Sequence, residues 1–355
     1  KGILPDNVGH SGQVGELMGG RWYGGNYGWT WPHGWGTLGD AVTCAAENAL
    51  ALTGDRAYLD LPRSQIDLLV SHGELKGETW HIPECHNDHG WFQYHPMRVD
   101  WMAHIWLASM SDEDVGRIRK LRNNETENYK SVQSYYTKHN AGNDAAWIHY
   151  LEGNYEEYPV EILRHNHAQV YQCLDFMRQD RQDPATYGDW YLQVRNPISI
   201  EGLLQLTMGA PLFLYNGGLL QARLRYFDVT RRRPGLPQDV GALVESMSDD
   251  TIVVQLANLS TIEKREVIVQ AGAFGEHIFK TAKGQRRRKL SEEEVGITGS
   301  DPRRYLDGLS EQIEDFVVDI DDKVFSVDIE PGCFIRLELG MDRFSGDPSY
   351  NLPWN

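Results

Sequence analysis

Residues 46–69 read AENALALTGDRAYLDLPRSQIDLL. Ahead of the break at Gly54, the run 37–52 (TLGDAVTCAAENALAL) is alanine-rich and nearly apolar around its circumference, as in a helix packed on several sides. Thr53-Gly54-Asp55 closes it, glycine being the usual residue at a helix C-terminus. Beyond the break, 58–71 places Ile66, Leu69 and Val70 at helical spacing, so a second helix is expected to return against the first. A helical hairpin is therefore the unit in which the first half of the chain is read.

Working outward, helices are predicted over 97–110, 112–122, 143–151, 160–178 and 198–208, joined by long loops rich in His, Tyr, Trp and Asn. After about Arg233 the period changes. TIVVQLANL (251–259), REVIVQAG (265–272), 315–320, 323–329 and 333–339 are short β-rich runs, with hairpin turns expected at Asp321-Asp322 and Pro331-Gly332. Such strands read as an antiparallel sandwich. RRRPGLP (231–237) marks the boundary, giving a helical domain over 1–234, a β-sandwich over 235–340 and an irregular tail over 341–355.

Composition narrows the function. The 355 residues carry 51 Asp plus Glu against 34 Lys plus Arg, a net charge of −17. That surface repels nucleic acid and anionic membranes, and no apolar run is long enough to span a bilayer. The four cysteines are dispersed without a CxxC pair, so neither a disulfide framework nor a zinc ribbon is indicated. No GxxxxGK[ST] phosphate loop occurs, no cofactor is expected, and no leader is legible, so the compartment stays open.

The hairpin AENALALTGDRAYLDLPRSQIDLL resembles the repeat of (α/α)-toroid glycan-degrading enzymes, in which an Ala-rich helix, an LTGD turn and a YLD second helix recur. These include glycoside hydrolases and polysaccharide lyases, many with a C-terminal β-sandwich. The repeat-like stretch covers residues 37–70, and no single family is assigned. A six-hairpin toroid needs twelve helices and about seven are legible here. The resemblance thus implies an incomplete toroid, lacking N-terminal hairpins that a longer chain or a partner chain would supply.

Chemistry-bearing residues fall in several clusters. WYGGNYGWTWPHGWG (22–36) holds Trp22, Tyr23, Tyr27, Trp29, Trp31 and Trp35, with His33, on a glycine-broken backbone with neither helical nor strand period. Aromatic faces stack on the C–H faces of sugars, so these rings are candidate glycan contacts, core packing being the alternative for any single ring. Asp40 ends Thr37-Leu-Gly-Asp40, a capping-box spacing, and is read either as a helix cap or as a catalytic carboxyl at a cleft-lining helix end. Glu47, two turns on, is expected to be buried opposite a partner.

HIPECHNDHGWFQYHP (81–96) is the densest polar stretch, read as a loop. Glu84 and Asp88 are candidate acid–base residues with His86 and Tyr94 beside them and Trp91 as a sugar contact. A metal on His81, Cys85, His86 and His89 is a less favoured alternative, because the spacing matches no ligand motif; a hydrogen-bonded surface loop is the third. KHNAGNDAAW adds His139, Asn140 and Asp144, the last also suited to a helix N-terminus. Asp189, Trp190, Arg195 and Tyr215 complete the candidate substrate contacts.

A glycoside hydrolase needs two carboxyls flanking the bond, for which Asp40, Glu84, Asp88, Asp144 and Asp189 are the candidates. A lyase acting on a uronate glycan would instead use a Tyr or His base, such as Tyr27, Tyr94, His86 or His139, with Asn140 or Arg195 neutralising the acid group. Hydrolysis is favoured narrowly, the paucity of cations in these loops counting against elimination. A non-catalytic glycan-binding protein is the third reading.

Overall fold

The computed structural model describes residues 2–5, 8–13, 35–77, 79–87, 89–122, 132, 143–188, 191, 199–214, 221–287 and 313–354. The chain is α plus β and divides into two compact units, Lys1–Ala222 and Arg223–Asn355. Among the described residues, no helix is long and apolar enough to cross a membrane.

The opening hairpin forms for local reasons. Helix α1 (Trp35–Thr53) ends where Gly54, at φ +72°, returns its N–H to the Leu50 carbonyl at 2.7 Å. Asp55 then accepts the Ala57 N–H at 2.9 Å, which starts a 3₁₀ turn over Arg56–Leu59. Helix α2 (Asp60–Ser71) follows, with Pro62 in its first turn, where a missing donor costs nothing. Its buried side chains, Pro62, Gln65, Ile66 and Leu69, keep the i, i+3, i+4, i+7 stripe.

Helices α3 (Asp100–Ser109), α4 (Asp112–Arg122), α5 (Asp144–Leu151) and α6 (Tyr158–Gln179) lie at the predicted places. The predicted helix 198–208 is a short helix Glu201–Leu203 that widens into a π-helical turn over Leu204–Met208. Every residue of α3 is buried. Buried Asp114 on α4 ties α2 to α4: Arg63 donates to it at 3.0 and 2.6 Å, Arg117 at 2.6 Å, and Ser109 and Ser111 add hydroxyls. Asp114→Ala, which leaves both guanidinium groups without this partner, is expected to lower stability by about 3 kcal/mol, read from denaturant midpoints.

One part of the helical unit departs from expectation. Residues 81–96, read as a loop, form strands β2 (Thr79–Asn87) and β3 (Gly90–Pro96), with β1 (Glu74–Lys76) on the outer side of β2, all antiparallel. Polar residues and Pro83 masked the alternation, and Asn87 pairs with Gly90 next to the tight turn.

The second unit is a sandwich. One sheet has the order β10 (Ile313–Asp322), β9 (Ile278–Arg287), β12 (Phe334–Asp342), β7 (Thr251–Asn258), β6 (Val240–Met247). The other has β11 (Val324–Ile329), β8 (Arg265–Ala271), β4 (Leu224–Asp228), β5 (Arg233–Pro234), and every pairing is antiparallel. Leu224, Tyr226, Val254, Val267, Phe279 and Leu339 share one core between them. Because β4 pairs with β8, the unit begins ahead of RRRPGLP.

Neither expected hairpin turn joins paired strands. At Asp321-Asp322 and at Pro331-Gly332 the chain crosses from one sheet to the other. Beyond Asp342 it lacks regular structure among the described residues and lies on the sandwich, with Ser349 N–H on the Phe274 carbonyl at 2.8 Å and Trp354 edge-on to Phe227. Asn258, which opens an Asn-x-Ser sequon, is buried and donates to the Ile329 carbonyl at 3.0 Å, a structural role.

Candidate functional site

The helical unit buries more carboxyls than cations. Asp40 is only 1% exposed and sits inside α1, in its second turn, so the capping-box reading does not hold: the helix already runs at Trp35. The indole N–H of Trp101 donates to Asp40 Oδ1 at 2.6 Å. Arg98 lies 3.6 Å from the same oxygen, donates to Asp100 Oδ2 at 3.1 Å and rests 4.8 Å from the Trp101 ring centre. Glu84 reaches in from β2 and accepts the Gly36 N–H at 3.3 Å.

One guanidinium therefore meets Asp40 and Asp100, and its charge also reaches Glu84. Burial raises Asp40 to about 6, with Arg98 opposing the rise and Asp100 adding to it. Burial also raises Glu84, against the pull of His95, Gly36 N–H and Arg98. Beside Glu84 the β2–β3 ladder is irregular: pairs 83↔94 and 85↔92 form, while Gln93 between them takes φ +56°. A non-glycine residue held there costs on the order of 1 kcal/mol, and such strain collects at working sites.

Close packing fixes this corner. Trp35 meets Trp101 edge-on at 6.2 Å, over Gly39. A Cβ on Gly39 would stand 2.7 Å from Trp35 Nε1 and 2.9 Å from Trp101 Cε2. Alanine ordinarily favours a helix interior, yet here the rigid indoles must move and the Trp101–Asp40 bond with them. Gly39→Ala is expected to cost about 1–3 kcal/mol, measured by thermal unfolding.

A second node lies deeper, between α1, α3, α5 and the π turn. Glu47 is buried, as expected, and its partner is His104: Nδ1 is 3.1 Å from both carboxylate oxygens. His104 Nε2 donates to the Leu212 carbonyl at 2.8 Å. Leu212 N–H reaches Asp144 Oδ1 at 3.3 Å, and Gln205 Nε2 donates to the same oxygen at 3.0 Å. Tyr158 hydroxyl donates to Gln205 Oε1, which fixes the amide orientation. Glu201 accepts Asn143 Nδ2 at 2.9 Å as well as the Asn143 N–H. Burial drives Asp144 up to about 6 and, with Asp144 as neighbour, Glu201 to about 7. For His104, burial lowers the pKa, but Glu47 and the Leu212 carbonyl carry it to about 9.

The predicted site residues thus separate. Asp40 and Glu84 come together around Arg98, and Asp144 belongs to the deeper node. His86 packs edge-on against Trp91 at 4.8 Å, Trp91 also faces His72 at 4.5 Å, and Tyr94 lies under the Lys76 ammonium at 4.9 Å. His81 bonds the Thr79 carbonyl and Cys85 bonds Gln93, with strand alternation turning His86 to the opposite face from both. Among the described residues, no group of three or more His, Cys, Asp or Glu is arranged to hold a metal. Trp22, Tyr23, Tyr27, Trp29, Trp31, His33, Asp88, His139, Asn140, Asp189, Trp190, Arg195 and Tyr215 lie outside the described residues.

Sequence reasoning missed Arg98, Asp100, Trp101, His104, Glu201 and Gln205. A signal was present. Asp100 and His104, and again Glu201 and Gln205, are i, i+4 polar pairs in otherwise apolar helices, and buried polar groups need partners.

The family described as a domain of unknown function, DUF8034, matches residues 1–82 and 76–204, which include every residue of the Arg98 cluster. The chain belongs to the DUF8034 family. No curated protein matches its sequence. This DUF8034 chain has slight likeness to an α-L-arabinofuranosidase from Thermotoga maritima in complex with arabinose, at 11% identity and TM-score 0.20, over 36% of this chain and 27% of that one. A GH51 α-L-arabinofuranosidase from Thermotoga petrophila RKU-1 gives 10% identity and TM-score 0.19, over 34% and 26%. The chain spans about a quarter of each, and likeness at this level carries neither fold nor function.

Proposed function

We propose that the helical unit hydrolyses glycosidic bonds in a neutral poly- or oligosaccharide, on an (α/α)-toroid type of scaffold. The observation that carries this reading is the pair Glu84 and Asp40, both raised by burial and both within the field of the Arg98 guanidinium. Their surroundings differ. Asp40 accepts the Trp101 indole N–H and faces Arg98, which favours its ionised form; Glu84 meets one backbone N–H. Two carboxyls in unlike environments are what glycoside hydrolysis asks for.

Glu84 is the acid. Its proton passes to the glycosidic oxygen, which keeps the bonding pair as the C–O bond breaks. Asp40, as carboxylate, stabilises the positive charge that develops at the anomeric carbon. Water supplies the oxygen that bonds that carbon, and a water proton restores Glu84. The rings of residues 22–31, with His33, Trp91, Asp189, Trp190, Arg195 and Tyr215, are the proposed sugar contacts, and Asp88 and His139 remain proposed catalytic residues.

Elimination would need another group than Arg98, which is engaged by Asp100 and Asp40, to neutralise a uronate. Incubation with neutral and uronic polysaccharides tests the reading. New reducing ends without unsaturated uronate absorbance support hydrolysis, and matching absorbance replaces it with elimination. Neither product on any substrate leaves a glycan-binding protein.

A further inference from the structure

His104 is absent from the reaction above, yet both of its ring nitrogens are committed. Nε2 faces a carbonyl, which cannot donate, so Nε2 carries a proton. Nδ1 faces both oxygens of the Glu47 carboxylate at equal distance, the arrangement of a second N–H shared between two acceptors. We infer that His104 is a fixed imidazolium, a positioning residue that sets the Asp144 carboxyl through Leu212 and adds its charge to the field at Asp40.

Two routes connect it to them. The first is through Leu212: the carbonyl is held by His104 and the N–H of the same residue is aimed at Asp144 Oδ1. With Gln205 on that oxygen too, both donors fall on Oδ1, while Oδ2 is buried with no partner among the described residues. A carboxyl so arranged carries its proton on Oδ2. The second route is charge. The groups that act with the imidazolium are Glu47 and Asp40 from α1 and Asp144 from α5, with Glu201 beyond Asp144, while Asp100, one turn earlier on its own helix, acts on both Asp40 and Asp144. His104 opposes the upward push of burial on both Asp40 and Asp144. It is a cation hydrogen-bonded directly into this deeper node. The consequence for catalysis, that His104 helps keep Asp40 ionised while Glu84 is protonated, rests on the hydrolase reading; the charge state does not.

The test uses the full chain with ¹⁵N-labelled histidine. From about pH 6 to about pH 8, both ring nitrogens of His104 are expected to show the protonated signature, where an ordinary histidine titrates. One protonated and one bare nitrogen would overturn the inference. With ¹³C-labelled aspartate, the E47Q/H104Q variant is expected to raise the Asp144 midpoint by about one unit or more and the Asp40 midpoint by less. Unchanged midpoints in a folded variant overturn the positioning role, and the wild-type ring spectrum decides the charge state if that variant does not fold. The spectra need no substrate, so a protein without glycan turnover removes the hydrolase reading and leaves the imidazolium standing.

Discussion

Taking the protein from about pH 5 to about pH 8 lowers the stability of its helical unit, because three buried carboxyls there must give up protons to a site that disfavours their charge. Asp40 and Asp144 stand near 6 against an ordinary 3.8, and Glu201 near 7 against 4.5. A raised acid contributes stability that is whole below its unfolded pKa and is lost as pH climbs through the folded one. The window is therefore roughly pH 4 to pH 7 for all three. A shift of two units corresponds to about 3 kcal/mol per group, and neighbours such as Asp144 and Glu201 share part of it.

Other groups bound the effect. His104, raised to about 9, adds stability that is full below 6.5 and fades through 9, so it works in the same direction. Asp114, lowered by its arginines against the push of burial, loses its contribution only as pH falls below its ordinary 3.8. Glu276 in the sandwich is raised to about 6 and loses stability with rising pH as well. The two units are separable by optics: of the 11 tryptophans, Trp354 alone belongs to the sandwich. Denaturant unfolding followed by tryptophan fluorescence should give a higher midpoint at pH 5 than at pH 8. Glu201→Gln should narrow that gap by stabilising the protein at the higher pH. A midpoint that rises from pH 5 to pH 8 contradicts the buried-acid account.

The second large effect is on turnover. Asp40→Asn and Glu84→Gln should each lower glycan hydrolysis roughly a thousandfold, the scale of removing a positioned acid or base. Asn retains an acceptor for Trp101 Nε1 and Gln retains one for Gly36 N–H, so both variants should fold, and Asp40→Asn, like Glu201→Gln, should be the more stable at the higher pH. The wild-type profile in kcat is expected to be bell-shaped, rising as Asp40 ionises and falling as Glu84 does. Asp40→Asn should abolish the rising limb. Full activity in either variant removes that residue from the mechanism. Loss only in Asp88→Asn would move the chemistry to Asp88.

The α1–α2 hairpin was legible because its causes are local. Gly54 adopts the positive φ that its type permits, Asp55 caps its own turn, and Ile66 and Leu69 recur at the helical period. Five strands of the sandwich, β7, β8, β10, β11 and β12, were legible for the same reason, as were the five further helical stretches out to Met208, whereas β4, β5, β6 and β9 were not read. What failed was pairing. The residues 321–322 and 331–332 carry turn chemistry, yet a turn does not say whether the next strand joins the same sheet or the opposite one. Residues 81–96 hid a strand pair because half-buried polar side chains blur alternation.

For the site, residue type and spacing marked Asp40, Glu84 and Asp144 as candidates and placed Glu47 opposite a partner. The sequence could not say that Arg98 and Trp101 would meet Asp40 from 58 and 61 positions away, or that Glu47 would find His104. Propensity and period are properties of neighbours along the chain, and the protein's residues determined its helices and strands through them. The charge state of a buried carboxyl depends on how much water is excluded and which donors face it. Those are set by segments distant in sequence, and only the tertiary structure brought them together.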